Sequence, residues 1–205
     1  MSYESYPEDL IQDRINKLDR VNKALKSATD LAIETAFSHG VDFPVGAVAC
    51  CGGFESGRWF ASDQRNIAMG VPRWKAEHNH AEFMAVGMAK LQPHGRVDLL
   101  AVNIEPCARC FRFLAAEHVK TVAFVIPRTE LEERGLVNPR PGEHIFELAE
   151  KMYAPINIMQ FDDPVIRAGN YALLDSTTRD KSNGKVTVDK QALSARLQTI
   201  NESLD

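Results

Sequence analysis

The chain has 205 residues, enough for one domain with a real core and some added helices. Apolar residues make up 44% and charged residues 25%, an ordinary balance for a soluble protein, and the net charge of −4 argues against a dedicated nucleic-acid binder. Met1 to Asp9 is polar and acidic with no apolar signal segment, and no apolar run reaches membrane-span length, so the expected setting is the cytoplasm.

Residues 7–38 read as helical. Pro7 sits where a helix begins, and Glu8 and Asp9 favour its positive end. Leu10, Ile11, Ile15, Leu18, Val21, Leu25, Ala28 and Ala32 fall mainly at steps of three and four. That is an apolar stripe on one long helix, or on two joined near Val21, and Gly40 ends it. Val45 to Cys51 reads as a buried strand and Arg58 to Ser62 as its partner, with Gly52, Gly53 and Gly57 marking the turn. Residues 63–79 are irregular. Residues 80–92 form a helix with Phe83, Val86 (or Gly87) and Leu91 turned inward, and Pro93 stops it. Asp98 to Ile104 is the next strand, Pro106 opens a short helix, and Thr121 to Ile126 is a central strand.

Residues 128–141 are rich in proline and read as a surface loop, with a lid over a substrate as the alternative. Glu143 to Tyr153 is helical, with Ile145, Phe146, Leu148, Ala149 and Met152 apolar, and Ile156 to Phe161 is a strand. Strand, helix, strand is a crossover, so the last two strands should be parallel. Pro164 starts a helix with Val165, Ile166, Tyr171, Leu173 and Leu174 inward. Residues 175–189 lack periodicity and read as a linker. A closing helix then carries Leu193, Leu197, Ile200 and Leu204 on one stripe. The pattern predicts a three-layer α/β/α domain over residues 24–175. An N-terminal helical extension, residues 1–23, precedes it, and a polar linker with a C-terminal helix, residues 176–205, follows.

The cysteines come as two close pairs, Cys50–Cys51 and Cys107–Cys110. The first pair lies in an apolar run and reads as small buried strand residues. The second, with His80-Ala81-Glu82, forms a set of two thiols, one imidazole and one free carboxylate. Catalytic zinc takes three protein ligands and keeps a position for water. Cys107 and Cys110, three apart at a helix start, can present both sulfurs on one face, and the helix dipole favours thiolates there. His80 opens the other helix. Glu82 then moves protons, as general acid and base. A C-x-x-C by itself also fits a redox dithiol, or half of a structural zinc site with a fourth ligand such as His78. The first leaves His80-Ala81-Glu82 unexplained, and the second gives Glu82 nothing to do.

Other residues carry two readings each. Phe43 floors a substrate pocket or packs in the core. Trp74 stacks on a base or packs in its loop. His78 contacts substrate or is a loop histidine. Phe111 and Phe113 read as core, and Glu105 as compensation for a helix dipole. Arg179, Lys181, Lys185 and Lys190 read as a solvated tail, with a basic patch as the alternative.

Over about residues 25–175 the chain resembles the cytidine deaminase-like superfamily of zinc aminohydrolases, whose H-x-E and P-C-x-x-C signature it carries. It is most similar to the branch of tRNA adenosine, guanine and fungal-type cytosine deaminases. The zinc histidine is His80, where free cytidine deaminases usually have cysteine. Pro44-Val45-Gly46-Ala47-Val48 resembles the branch's first strand, and the crossover from Val125 to Ile158 resembles its parallel fifth strand. The resemblance implies a cytidine deaminase-like fold with a mixed five-stranded sheet, Zn2+ as cofactor on His80, Cys107 and Cys110, and Glu82 as catalytic residue. It further implies Asn66 as a base-holding residue, the Ala81 backbone amide on a ring oxygen or nitrogen, and pairing into a homodimer. The bland reading of Asn66 is a turn residue.

The expected function is therefore hydrolytic deamination of a nucleobase, nucleoside or related small amino-heterocycle. An RNA-editing tRNA adenosine deaminase is the alternative, with Arg73, Lys75, Arg109 and Arg112 beside the tail lysines as its basic groups. A non-catalytic deaminase-like binding protein is the third reading. No membrane partner is expected.

Overall fold

The computed structural model describes residues 8–39, 44–51, 57–62, 80–91 and 96–204. The first element is one helix, α1 (Glu8–His39). No proline or glycine interrupts it, and Asp13–Lys17, Asp19–Lys23 and Lys26–Asp30 pair at i, i+4 along its surface. It runs unbroken through Val21. Its buried face is Val21, Ala24, Leu25, Ala28, Leu31, Ala32 and Ala36. Of the stripe expected from Leu10 onward, Ile15 is 52% and Leu18 42% exposed, and burial among the described side chains begins at Val21.

Strands β1 (Gly46–Cys51), β2 (Gly57–Ser62), β3 (Val97–Ile104), β4 (Thr121–Ile126) and β5 (Asn157–Gln160) form one sheet in the order β2-β1-β3-β4-β5. β1 pairs antiparallel with β2 and β3, whereas β3, β4 and β5 are parallel. The predicted crossover thus holds. β1, β3 and β4 are buried along almost their whole length, as strands covered on both faces must be. The helices that cover them are α2 (Ala81–Lys90), α3 (Ala108–Ala116), α4 (Arg128–Glu133), α5 (Ile145–Met152) and α6 (Pro164–Asp175). α1 and α6 pack together on one side, and α2, α3 and α5 on the other. A hairpin, β6 (Thr177–Arg179) with β7 (Val186–Val188), and a last helix α7 (Lys190–Glu202) complete the described chain.

Several expectations are corrected. α2 buries Ala81, Glu82, Ala85, Val86 and Ala89, while Gly87 faces out and Leu91 is 84% exposed. The small side chains set the inner face because the helix lies close on alanine-rich strands. Part of the 128–141 segment is the helix α4. Its prolines lie outside that helix, so they do not break it. The segment read as a linker holds the β6–β7 hairpin, built from β-branched Thr177, Thr178, Val186, Thr187 and Val188. Its turn is closed by Asp180 Oδ1, which accepts from Ser182 N, and by Gly184 at φ 71°. On α6, Val165 is 44% exposed. Asp163 caps this helix, its side chain accepting from the Val165 and Ile166 amides ahead of Pro164 in the first turn. No helix among the described residues is long and apolar enough to cross a membrane.

Candidate active site

Two helix N-termini meet at the carboxyl end of β3. His80 is the N-cap of α2 and Cys107 the N-cap of α3, both in extended backbone (φ −64°, ψ 146° and φ −66°, ψ 159°). His80 Nδ1 lies 3.3 Å from Cys110 Sγ and 3.7 Å from Cys107 Sγ, and the two sulfurs are 3.5 Å apart. The Cys110 amide donates to Cys107 Sγ at 3.5 Å. A tetrahedral zinc with nitrogen at about 2.0 Å and sulfur at about 2.3 Å sets nitrogen–sulfur edges of about 3.5 Å and a sulfur–sulfur edge of about 3.8 Å. The observed triangle matches these edges to within a few tenths of an ångström, so the donor set fits that ion.

The electrostatics agree with a cation site. The Cys110 thiol beside it draws the Cys107 pKa down to about 3. Burial opposes this, and the His80 ring and the Cys110 amide add to the lowering. Glu82 is 3% exposed. Burial pushes its carboxyl above the usual range, as does the charge of Cys107, while His80, its own backbone amide and the Cys110 thiol pull it down. Glu82 therefore sits within the field of all three cluster residues, in the first turn of α2, where the dipole favours an acid. Phe83 on α2 stacks on Phe113 on α3, with centroids 4.0 Å apart and planes at 21°. This stack clamps the two cluster-bearing helices together.

The structure thus brings together His80, Cys107, Cys110 and Glu82, and Ala81 opens α2 fully buried between them. Phe43, Asn66, Trp74 and His78 lie outside the described residues. Cys50 and Cys51 are buried in β1, as expected. Asn103, an asparagine inside an apolar strand run, escaped the sequence reading. Its Oδ1 accepts from Gly46 N at 3.0 Å and its Nδ2 donates to Pro44 O at 3.4 Å, which fixes the chain entering β1. Its polarity among apolar neighbours was the signal available.

Residues 20–126, over half of the chain, match the family model of the cytidine and deoxycytidylate deaminase zinc-binding region. The chain belongs to this family. As a member it is a zinc-dependent deaminase, and the His80–Cys107–Cys110 cluster of this deaminase is a set that could hold the family's metal ion. Among solved structures, the deaminase is similar to NE0047 in complex with 2,6-diaminopurine, at 21% identity and TM-score 0.53, covering 76% of this chain and 78% of that one. It is similar to a guanine deaminase from Nitrosomonas europaea at 19% identity and TM-score 0.50, covering 76% and 81%. It also resembles a variant of NE0047 in complex with 8-azaguanine, at 19% identity and TM-score 0.51, covering 77% and 81%. These likenesses establish the shared fold. A search of the curated proteins finds no match.

Proposed function

We propose that this deaminase hydrolyses an exocyclic amino group from a nucleobase, nucleoside or related small amino-heterocycle, with Glu82 as catalytic residue and His80, Cys107 and Cys110 as zinc ligands. The observation that carries the reading is the matched ligand triangle with a buried carboxylate two residues from its histidine. Zinc supplies, when bound, a water whose pKa is lowered to about 7. Glu82 accepts a proton from the attacking water and delivers it to the ring nitrogen beside the reacting carbon. A second transfer through the same carboxyl protonates the departing amine. The balance is one water consumed, one C–N bond broken, one C–O bond formed and one ammonia released. Burial of Glu82 keeps this shuttle from exchanging with bulk water.

The substrate class is supported by the purine analogues 2,6-diaminopurine and 8-azaguanine in the similar structures, and by the acidic charge of the chain. Phe43, Asn66, Trp74 and the Ala81 amide are the assigned base contacts, and a homodimer is the proposed assembly. Incubation with guanine, adenine, cytosine and their nucleosides, with ammonia as the readout, tests the reaction. Glu82→Gln is expected to lower turnover by at least about 100-fold while zinc content stays at one ion per chain. Full activity in that variant removes Glu82 from the mechanism.

A further inference from the structure

Among the described residues, Glu105 is the buried carboxylate that the proposed reaction does not use. It is 5% exposed and stands two positions before Cys107. Its backbone amide donates to Ile126 O at 2.8 Å, extending the β3–β4 pairing past the end of the strand. Its two oxygens then reach in separate directions. Oε2 accepts from Arg128 N at 2.7 Å, and Oε1 accepts from Ile145 N at 2.9 Å. Arg128 and Ile145 are the first residues of α4 and α5. The N-caps of those helices, Pro127 and His144, provide no side-chain hydrogen bond of their own. His144 Nδ1 stands 3.6 Å from Oε1. One carboxylate thus serves two helices whose first residues are 23 and 40 positions away in the chain.

In the sequence, Glu105 reads as compensation for a helix dipole. It provides this for α4 and α5, not for the cysteine-bearing helix that follows it. A residue that only capped a helix would sit at that helix. Glu105 sits instead at the hinge into the cluster, joined to Cys107 through Pro106 alone. Proline fixes φ, so the placement of Glu105 is passed on to Cys107 with little freedom.

We propose that Glu105 is a positioning residue for the metal cluster: its grip on the Arg128 and Ile145 amides fixes the Glu105-Pro106-Cys107 turn and thereby the distances from Cys107 and Cys110 to His80. The inference rests on the reading of that cluster as a zinc site. Groups that orient metal ligands through hydrogen bonds typically change affinity by about 10- to 100-fold when removed.

The test uses the full-length chain. Zinc affinity is measured by competition with a chromophoric chelator, and cobalt(II) is substituted to read the thiolate charge-transfer and ligand-field bands. Glu105→Gln keeps the shape but turns an NH2 toward one of the two amides. It is expected to weaken zinc binding by about 10- to 100-fold and to shift the cobalt bands. A folded Glu105→Gln protein with wild-type affinity and wild-type bands overturns the proposal, whatever its melting temperature. Should that variant fail to fold, Arg128→Pro decides. Proline is tolerated at the first helical position, Pro127 already has the extended backbone a following proline needs (φ −72°, ψ 152°), and the substitution removes one of the accepted amides. Arg128→Ala is its control for the lost side chain. Weaker zinc binding in Arg128→Pro than in Arg128→Ala supports the proposal, and equal binding overturns it. Absence of zinc binding in the wild-type protein overturns the cluster reading itself, and this proposal with it.

Discussion

Gly46 decides how near α1 comes to the sheet. A Cβ built there would stand 2.0 Å from Ala28 O and 2.9 Å from Ala32 N, both backbone atoms of α1. Neither can move without moving the helix. Asn103 holds the same glycine from the other side through its amide, so the strand cannot retreat either. Gly46→Ala should therefore destabilise the fold by about 3 kcal/mol, at the upper end of overpacking costs. A urea denaturation midpoint shifted downward at unchanged slope checks this, and an unshifted midpoint contradicts the close approach. At this scale the sequence was legible where chemistry depends on spacing. His80, Glu82, Cys107 and Cys110 are read from two short motifs, each opening a helix. It was not legible where a residue's partner is remote. Nothing in Gly46 shows that a helical carbonyl passes over it, and nothing in Glu105 shows that it bonds to Arg128 and Ile145.

Among the elements, α2 and α3 matter most, because each brings a cluster residue to its N-cap. They are short, 10 and 9 residues, too short to be stable alone. Their relative placement depends on packing, and the Phe83–Phe113 stack is a direct apolar contact between them. Replacing either ring by leucine retains bulk but loses the stack. A double-mutant cycle of Phe83→Leu and Phe113→Leu should give a coupling of about 1 kcal/mol in chemical denaturation. Additive single changes would mean that the rings merely fill space. Element existence was largely readable from periodicity and from Gly and Pro punctuation. Element faces were less so. Leu91 is large and in phase with the inner face, yet it follows the end of α2 and is exposed to solvent. The β6–β7 hairpin leaves no periodic signal in the sequence, because its strands are three residues each, too short for a period-2 pattern to emerge.

The whole molecule has a second, smaller core apart from the one beneath the cluster. Ala32 and Ala36 of α1, Ala172 and Leu173 of α6, and Leu193 of α7 form it. Leu193 is fully buried on a helix that is otherwise largely exposed. Polar links frame it. Lys190 Nζ donates to Phe37 O at 2.6 Å, Asp189 N donates to Ser176 O at 2.7 Å, and Asn170 Nδ2 donates to Thr29 Oγ1 at 2.8 Å. The C-terminal hairpin and helix therefore fasten α1 to α6, on the side of the sheet away from α2 and α3. That separation makes a prediction about the molecule as a whole. Leu193→Ala removes a fully buried side chain packed among Ala32, Ala36, Ala172 and Leu173, and should cost about 3 kcal/mol. The loss should appear as a lower denaturation midpoint. The folded fraction should keep its zinc affinity and its turnover per bound zinc, because none of the cluster residues belongs to this core. A Leu193→Ala protein with weakened zinc binding at full folding would mean that the two sides of the sheet are coupled, and that the terminal helix supports the site as well as the fold.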